Sequence, residues 1–132
     1  MADWSIKIVS TKNGVGFQPD LQGAKVGDPL QAQQNDLVTW NNTTNNAHQP
    51  WQTDSNYQPL SDAWVNAHPD LYMSDTIPGG EPSSPSYNVA QPTSFQTQPQ
   101  PPNTWTVYYF CKLHPTAKSE RGTIEATVPP SN

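Results

Sequence analysis

Residues 107–115 read VYYFCKLHP, and the fold turns on how this stretch is read. An apolar, aromatic, β-type run leads into Cys111, the single cysteine of the chain, and His114 follows three residues later before a Pro-opened polar loop. A thiol at a strand end with an imidazole on the next turn can hold a soft metal ion. The bland alternative is open at this point: a lone cysteine at the end of an aromatic strand also serves as a small buried hydrophobe.

Working outward, TWTVYYF (104–110) alternates bulky groups on both sides, Trp105, Val107 and Tyr109 against Thr106, Tyr108 and Phe110. Such a strand is buried on one face and covered by a loop on the other. GTIEATV (122–128) then alternates Ile124, Ala126 and Val128 with Thr123, Glu125 and Thr127, the pattern of a half-buried strand. Upstream, WSIKIV (4–9) and DLVTWN (36–41) read as strands, with Val38 and Trp40 on one face of the second. TKNGVGF (11–17) reads as a turn or bulge, LQGAKV (21–26) as a short strand, and Gly27-Asp28 as another turn.

From Asn41 to Pro101 the text changes. NNTTNNAHQPW is loop-forming, because Asn side chains compete for backbone hydrogen bonds. SDAWVNAHPDLYM holds one or two helical turns, with Ser61 or Asp62 capping and Pro69 stopping them. IPGGEPSSPS is turn-rich, SYNV a short strand, and QPTSFQTQPQPP irregular, since its prolines deny the donors a central strand needs. Short strands, many Gly and Pro turns and little helical pattern predict an all-β protein. The expected form is an antiparallel two-sheet Greek-key β-sandwich, a single domain over residues 1–132.

Composition excludes several functions. Lys and Arg number 6 against 11 acidic residues, without clusters, which argues against a nucleic-acid surface and against docking on an anionic membrane surface. No apolar run approaches the roughly 20 residues of a membrane span. One cysteine precludes an intramolecular disulfide. The opening MADW carries no export pattern. The low charge and the abundance of Asn, Gln, Thr, Ser and Pro suit a periplasmic or secreted domain whose signal has been removed. No acidic residue is indicated to orient His114 for nucleophilic catalysis by Cys111. The Asp-containing loops lack the dense oxygen spacing of a calcium site.

Three features raise the metal reading of Cys111 and His114. His48 follows the best early strand and an Asn-rich turn, CKLHP returns within a few residues into a strand, and DTIPGG supplies a tight turn at the same expected end of the sandwich.

In this arrangement the chain resembles the cupredoxins, the small blue-copper proteins. The resemblance rests on Gly27-Asp28, VTWNN followed by His48, the turn Ile77-Pro78-Gly79, YYFC, His114-Pro115 and the closing Gly-Thr-Ile strand. It runs in order through nearly the whole chain, with residues 49–75 as an insertion. It implies one copper ion held by His48, Cys111 and His114, as a type 1 copper centre. Two imidazoles and a thiolate are independently the donor set of copper electron-transfer sites.

The departure is at the axial position, where the family commonly has a Met two residues before the closing Gly and this chain has Glu120. The candidates are Glu120, then Met73 or His68 from the insertion, or no axial ligand, with Glu120 solvated between Lys118 and Arg121. His68 also reads as a capping residue and Met73 as a core residue. Around the site, Gln49 is expected to tie the two ligand loops together, Phe110 and Tyr108 to screen the thiolate, and His114 to lie nearest solvent. Leu113, Pro115, Pro50 and Trp51 are expected to form an apolar rim. Trp51 and Trp64 equally read as folding the insertion onto the sandwich.

Three functions follow. The first is an electron carrier, not an enzyme, serving a redox partner that the acidic balance favours as basic. The second is a copper module for storage, delivery or small-molecule redox chemistry. The third is a β-sandwich binding domain without metal.

Overall fold

In the computed structural model, residues 2–90 and 103–128 are described. QPTSFQTQPQPP (91–102), read above as irregular, lies outside them. The strands are β1 (Asp3–Thr11), β2 (Gly14–Pro19), β3 (Leu30–Gln33), β4 (Leu37–Asn42), β5 (Pro50–Thr53), β6 (Tyr87–Asn88), β7 (Thr104–Cys111) and β8 (Arg121–Thr127). They form two four-stranded sheets, in the orders β2-β1-β4-β6 and β3-β8-β7-β5.

The inner faces follow from alternation. Ile6, Ile8, Phe17, Val38 and Trp40 from the first sheet meet Leu30, Val107, Tyr109, Ile124 and Ala126 from the second in one buried core. Tyr109 joins the layers, its ring edge-on to Phe17 at 4.9 Å and to Trp40 at 5.3 Å between centroids. The all-β sandwich is as expected, but its sheets are mixed. β1 runs parallel to β4 and β3 parallel to β8, whereas the sequence reading had all pairs antiparallel. The chain changes sheet after every strand from β2 to β6, so apart from β1-β2 and β7-β8 the neighbours within a sheet are not consecutive in sequence and are free to run the same way.

Two local readings are corrected. LQGAKV forms turns, not a strand, while TKNGVGF contributes to β2, which pairs with β1 from Ile6↔Pro19 to Thr11↔Gly14. Its glycines sit where bulk is excluded: a Cβ on Gly16 would lie 2.4 Å from Val26. The segment 49–75 is also only partly an insertion. Its first residues make β5, the edge strand beside β7 with Trp51 opposite Phe110.

The rest of that segment carries helix α1 (Asp62–Ala67) and a 3-10 turn over Pro69–Leu71. Ser61 caps α1 as expected, its side chain accepting the Trp64 N–H at 3.0 Å. α1 lies on the outer face of the second sheet, where Val65, Trp51 and Phe110 form a second apolar cluster with Leu60 and Tyr72 against it.

Candidate metal centre

Three segments bring the site together at one end of the sandwich. Cys111 ends β7, and His114 lies on the turn that follows, its N–H donating to the Cys111 carbonyl at 3.2 Å. Glu120 ends the return loop just before β8, and its carbonyl accepts the Cys111 N–H at 3.1 Å. His48 arrives from the loop after β4. It is fastened to the Ile77-Pro78-Gly79 turn by a two-way backbone bridge, His48 N–H to the Ile77 carbonyl at 3.1 Å and Ile77 N–H to the His48 carbonyl at 2.7 Å.

One donor atom from each of His48, Cys111, His114 and Glu120 falls within 4.8 Å of all the others. Sγ of Cys111 is 3.6 Å from Nδ1 of His48 and 3.4 Å from Nδ1 of His114. Oε1 of Glu120 is 2.9 Å from Nδ1 of His48 and 3.1 Å from Nδ1 of His114. His48, Cys111 and Glu120 are buried, and the His114 side chain is 42% exposed, the ligand candidate nearest solvent as expected.

These separations suit a metal ion. Metal–sulfur bonds of about 2.3 Å and metal–nitrogen bonds of about 2.0 Å at a tetrahedral angle put S and N roughly 3.5 Å apart, close to the two sulfur–nitrogen distances. The donor set, two imidazoles, a thiol and a carboxylate, also suits a transition metal better than a hard alkaline-earth ion. Burial pushes the His48 imidazole below its usual range; His114 adds to this and the Glu120 charge opposes it. Burial pushes the Cys111 thiol up, Glu120 adds to this, and the backbone N–H groups of Gln49, Leu113 and His114 oppose it. Both shifts favour the uncharged forms, a neutral His48 imidazole and a protonated Cys111 thiol, and a metal held by the thiol sulfur would displace its proton.

Glu120 is the candidate the sequence could not assign. Its side chain is 8% exposed, so it is not solvated between Lys118 and Arg121. His68 lies elsewhere, ending α1 with Nδ1 2.9 Å from the Trp64 carbonyl and its ring stacked on Trp64. Met73 is packed in the main core.

The surroundings require three corrections. Gln49 does join the two ligand loops, but by its backbone: its N–H donates to Sγ of Cys111 at 3.4 Å and its carbonyl accepts the Lys112 N–H at 2.8 Å. Its side chain turns away to the Ser74 carbonyl. Phe110 and Tyr108 do not screen the thiolate. Strand alternation puts Cys111 and Tyr109 inward and sends Phe110 to the α1 cluster and Tyr108 against Tyr57. Leu113 and Pro115 flank His114 and are exposed, but Pro50 and Trp51 are buried and form no rim.

Sequence reasoning missed Thr44 and Asn42, both buried beside His48; Oγ1 of Thr44 is 3.1 Å from Nε2 of the ring. Nothing distinguishes them within the polar run NNTTNN.

The sequence matches no family model and no curated protein. Solved structures do resemble it. A purple cupredoxin from Nitrosopumilus maritimus is 16% identical with a TM-score of 0.56, over 95% of this chain and 98% of that one. Oxidised plastocyanin from Dryopteris crassirhizoma is 14% identical with a TM-score of 0.52, over 95% and 99%. A multicopper oxidase from Aquifex aeolicus is 7% identical with a TM-score of 0.50, over 97% of this chain but 27% of its own. At these identities the likeness bears on architecture alone, and with the geometry above it leads to one statement: the chain is a cupredoxin-like β-sandwich whose candidate ligand set has Glu120, not a methionine, as its fourth member.

Proposed function

We propose that the chain binds one copper ion through His48, Cys111, His114 and Glu120 and works as a one-electron carrier. The observation that carries this reading is the convergence of those four donors with three of them buried and only the His114 ring reaching solvent. Bound copper supplies the Cu(I)/Cu(II) couple; the protein supplies rigidity, access and charge.

The charge favours the oxidised ion. With neutral histidines, a thiolate and a carboxylate contribute two negative charges, so Cu(II) leaves the buried site neutral and Cu(I) leaves it at −1. The low dielectric of the interior magnifies that difference. The reduction potential is therefore low for a site of this kind. Exposed Leu113 and Pro115 beside His114 offer a redox partner an apolar approach to the exposed ligand edge, and the net charge of −5 steers a basic partner. A periplasmic or secreted setting belongs to the same proposal and rests on composition.

Voltammetry of the copper-loaded protein tests the carrier role. A reversible one-electron wave with fast exchange is expected. A sluggish or irreversible wave, together with an exchangeable ligand on the copper, would favour the second reading, a module for copper delivery or small-molecule redox chemistry. That reading is motivated by the hard carboxylate oxygen of Glu120.

A further inference from the structure

We propose that Asn42 and Thr44 form a polarised hydrogen-bond relay that fixes the His48 ring in one tautomer, with its proton on Nε2 and a lone pair on Nδ1. This rests on the metal-binding reading for its purpose, though not for its geometry.

The polarity of the relay follows from groups whose roles cannot reverse. The Asn42 side chain is held in one orientation from both ends. Its Nδ2 lies 2.7 Å from the Asn46 carbonyl, 3.0 Å from that of Ile77 and 3.3 Å from that of Pro78, all acceptors. Its Oδ1 accepts the Thr44 backbone N–H at 3.0 Å, a donor only. A flipped amide would lose both sets, so Oδ1 faces Thr44.

The Thr44 hydroxyl has a single proton. Of its neighbours other than His48, the Asn46 N–H, at 3.3 Å, can only donate to it, while Asn42 Oδ1, at 2.7 Å, and the Asn46 carbonyl, at 3.1 Å, can only accept. That proton is spent there, and towards Nε2 of His48, 3.1 Å away, the hydroxyl oxygen can only accept. The Nε2–H is thereby specified, and in the neutral ring Nδ1 keeps its lone pair.

The relay has a competitor. Oε1 of Glu120, 2.9 Å from Nδ1, would accept a proton from an Nδ1–H ring. One neutral imidazole cannot serve both acceptors. Thr44 therefore works against Glu120 in the metal-free protein and keeps the ligand nitrogen open, a positioning role exerted through His48. Partners on the far nitrogen of ligand histidines are worth about 10- to 100-fold in metal affinity.

The Ile77-Pro78-Gly79 turn anchors the start of the relay. A Cβ on Gly79 would come within 2.8 Å of the Thr44 carbonyl oxygen and of the Asn45 carbonyl carbon. Glycine there lets the turn sit against the loop and puts the Ile77 and Pro78 carbonyls within reach of Asn42.

Imidazole 15N shifts and long-range 1H–15N couplings of the metal-free protein, at about pH 8 where histidine is ordinarily neutral, test the relay without copper. Wild type should show Nε2–H and an aprotic Nδ1 at His48. Thr44→Val should move the proton towards Nδ1 and weaken Cu(II) binding by about 10- to 100-fold, and Thr44→Ser, which keeps the hydroxyl, should restore both. An Nδ1–H ring in wild type, or an unchanged tautomer in a folded Thr44→Val protein, overturns the relay. Should Thr44→Val not fold, the wild-type spectrum decides alone. An Nε2–H wild type that takes up no Cu(II) supports the relay and contradicts the metal reading.

Discussion

Oε1 of Glu120 stands 2.9 Å from Nδ1 of His48, with both side chains buried. An acidic residue at the end of an exposed loop is thereby made part of the interior. Replacing its charge should change the redox balance more than the fold. Glu120→Gln keeps the shape and removes one negative charge. The reduction potential of the copper-loaded protein should rise by on the order of 100 mV, given about 4 kcal/mol between unit charges 4 Å apart at an effective dielectric of 20. Voltammetry of the two proteins side by side measures it, and an unchanged potential would remove Glu120 from the site.

The metal-free protein should be most stable in a window from about pH 6.5 to about pH 9. His48 is held below its ordinary value of 6.5 chiefly by burial. Its unfolded form therefore takes up protons first, and stability is lost as pH falls below 6.5. Cys111 is held above its ordinary value of 9.0, again chiefly by burial. Its contribution is complete below that value and is lost as pH rises through the folded value. Urea midpoints across pH should trace this plateau. Copper binding should flatten its acid edge only while the metal stays bound, since protons compete for the ligands.

Gly122→Ala should destabilise the sandwich next to the site. Gly122 pairs with Tyr109 across β7 and β8. A Cβ there would lie 2.3 Å from the Tyr109 ring, which is itself wedged against Phe17 and Trp40. With the ring unable to retreat, overpacking should cost about 1–3 kcal/mol. The urea midpoint should fall without a change in slope.

Trp51→Ala should loosen the segment that carries α1. The indole is 4% exposed, packs with Val65 and Phe110, and donates to the Leu60 carbonyl at 2.8 Å. Truncation should cost about 3–5 kcal/mol. Amide exchange should quicken first in residues 60–72, while β1 and β4 keep their protection.

Much of the fold could be read where a single periodicity ruled. β1, β4 and β8 alternate, β7 alternates up to its last three residues, which are all buried, and Ser61 marks the start of α1. β2 could not be read because its glycines and Pro19 carry turn chemistry, and β3 offers just Leu30 and Ala32 as inward apolar groups. β5 hides in a polar run because all four of its residues are buried, its outer face lying under α1, so it shows no alternation. Parallel pairing depends on which sheet each crossing returns to, and no local pattern records that.

In the site, the spacing of Cys111 and His114 left a buried-hydrophobe reading open, and it was the resemblance, with His48 placed after the strand 36–41, that named the three together; the structure brings their donor atoms to one place. Glu120 was undecided, since nothing local separates a solvated loop carboxylate from one folded inward. Asn42 and Thr44 matter through the direction of their hydrogen bonds, which composition does not carry.

Titration of the metal-free protein with Cu(II), followed by visible absorption, tests the copper site most directly. An intense thiolate-to-copper band should grow to saturation at one equivalent and be missing in Cys111→Ser. A wild-type protein that stays colourless through the titration, or a band that survives loss of the Cys111 sulfur, would contradict it.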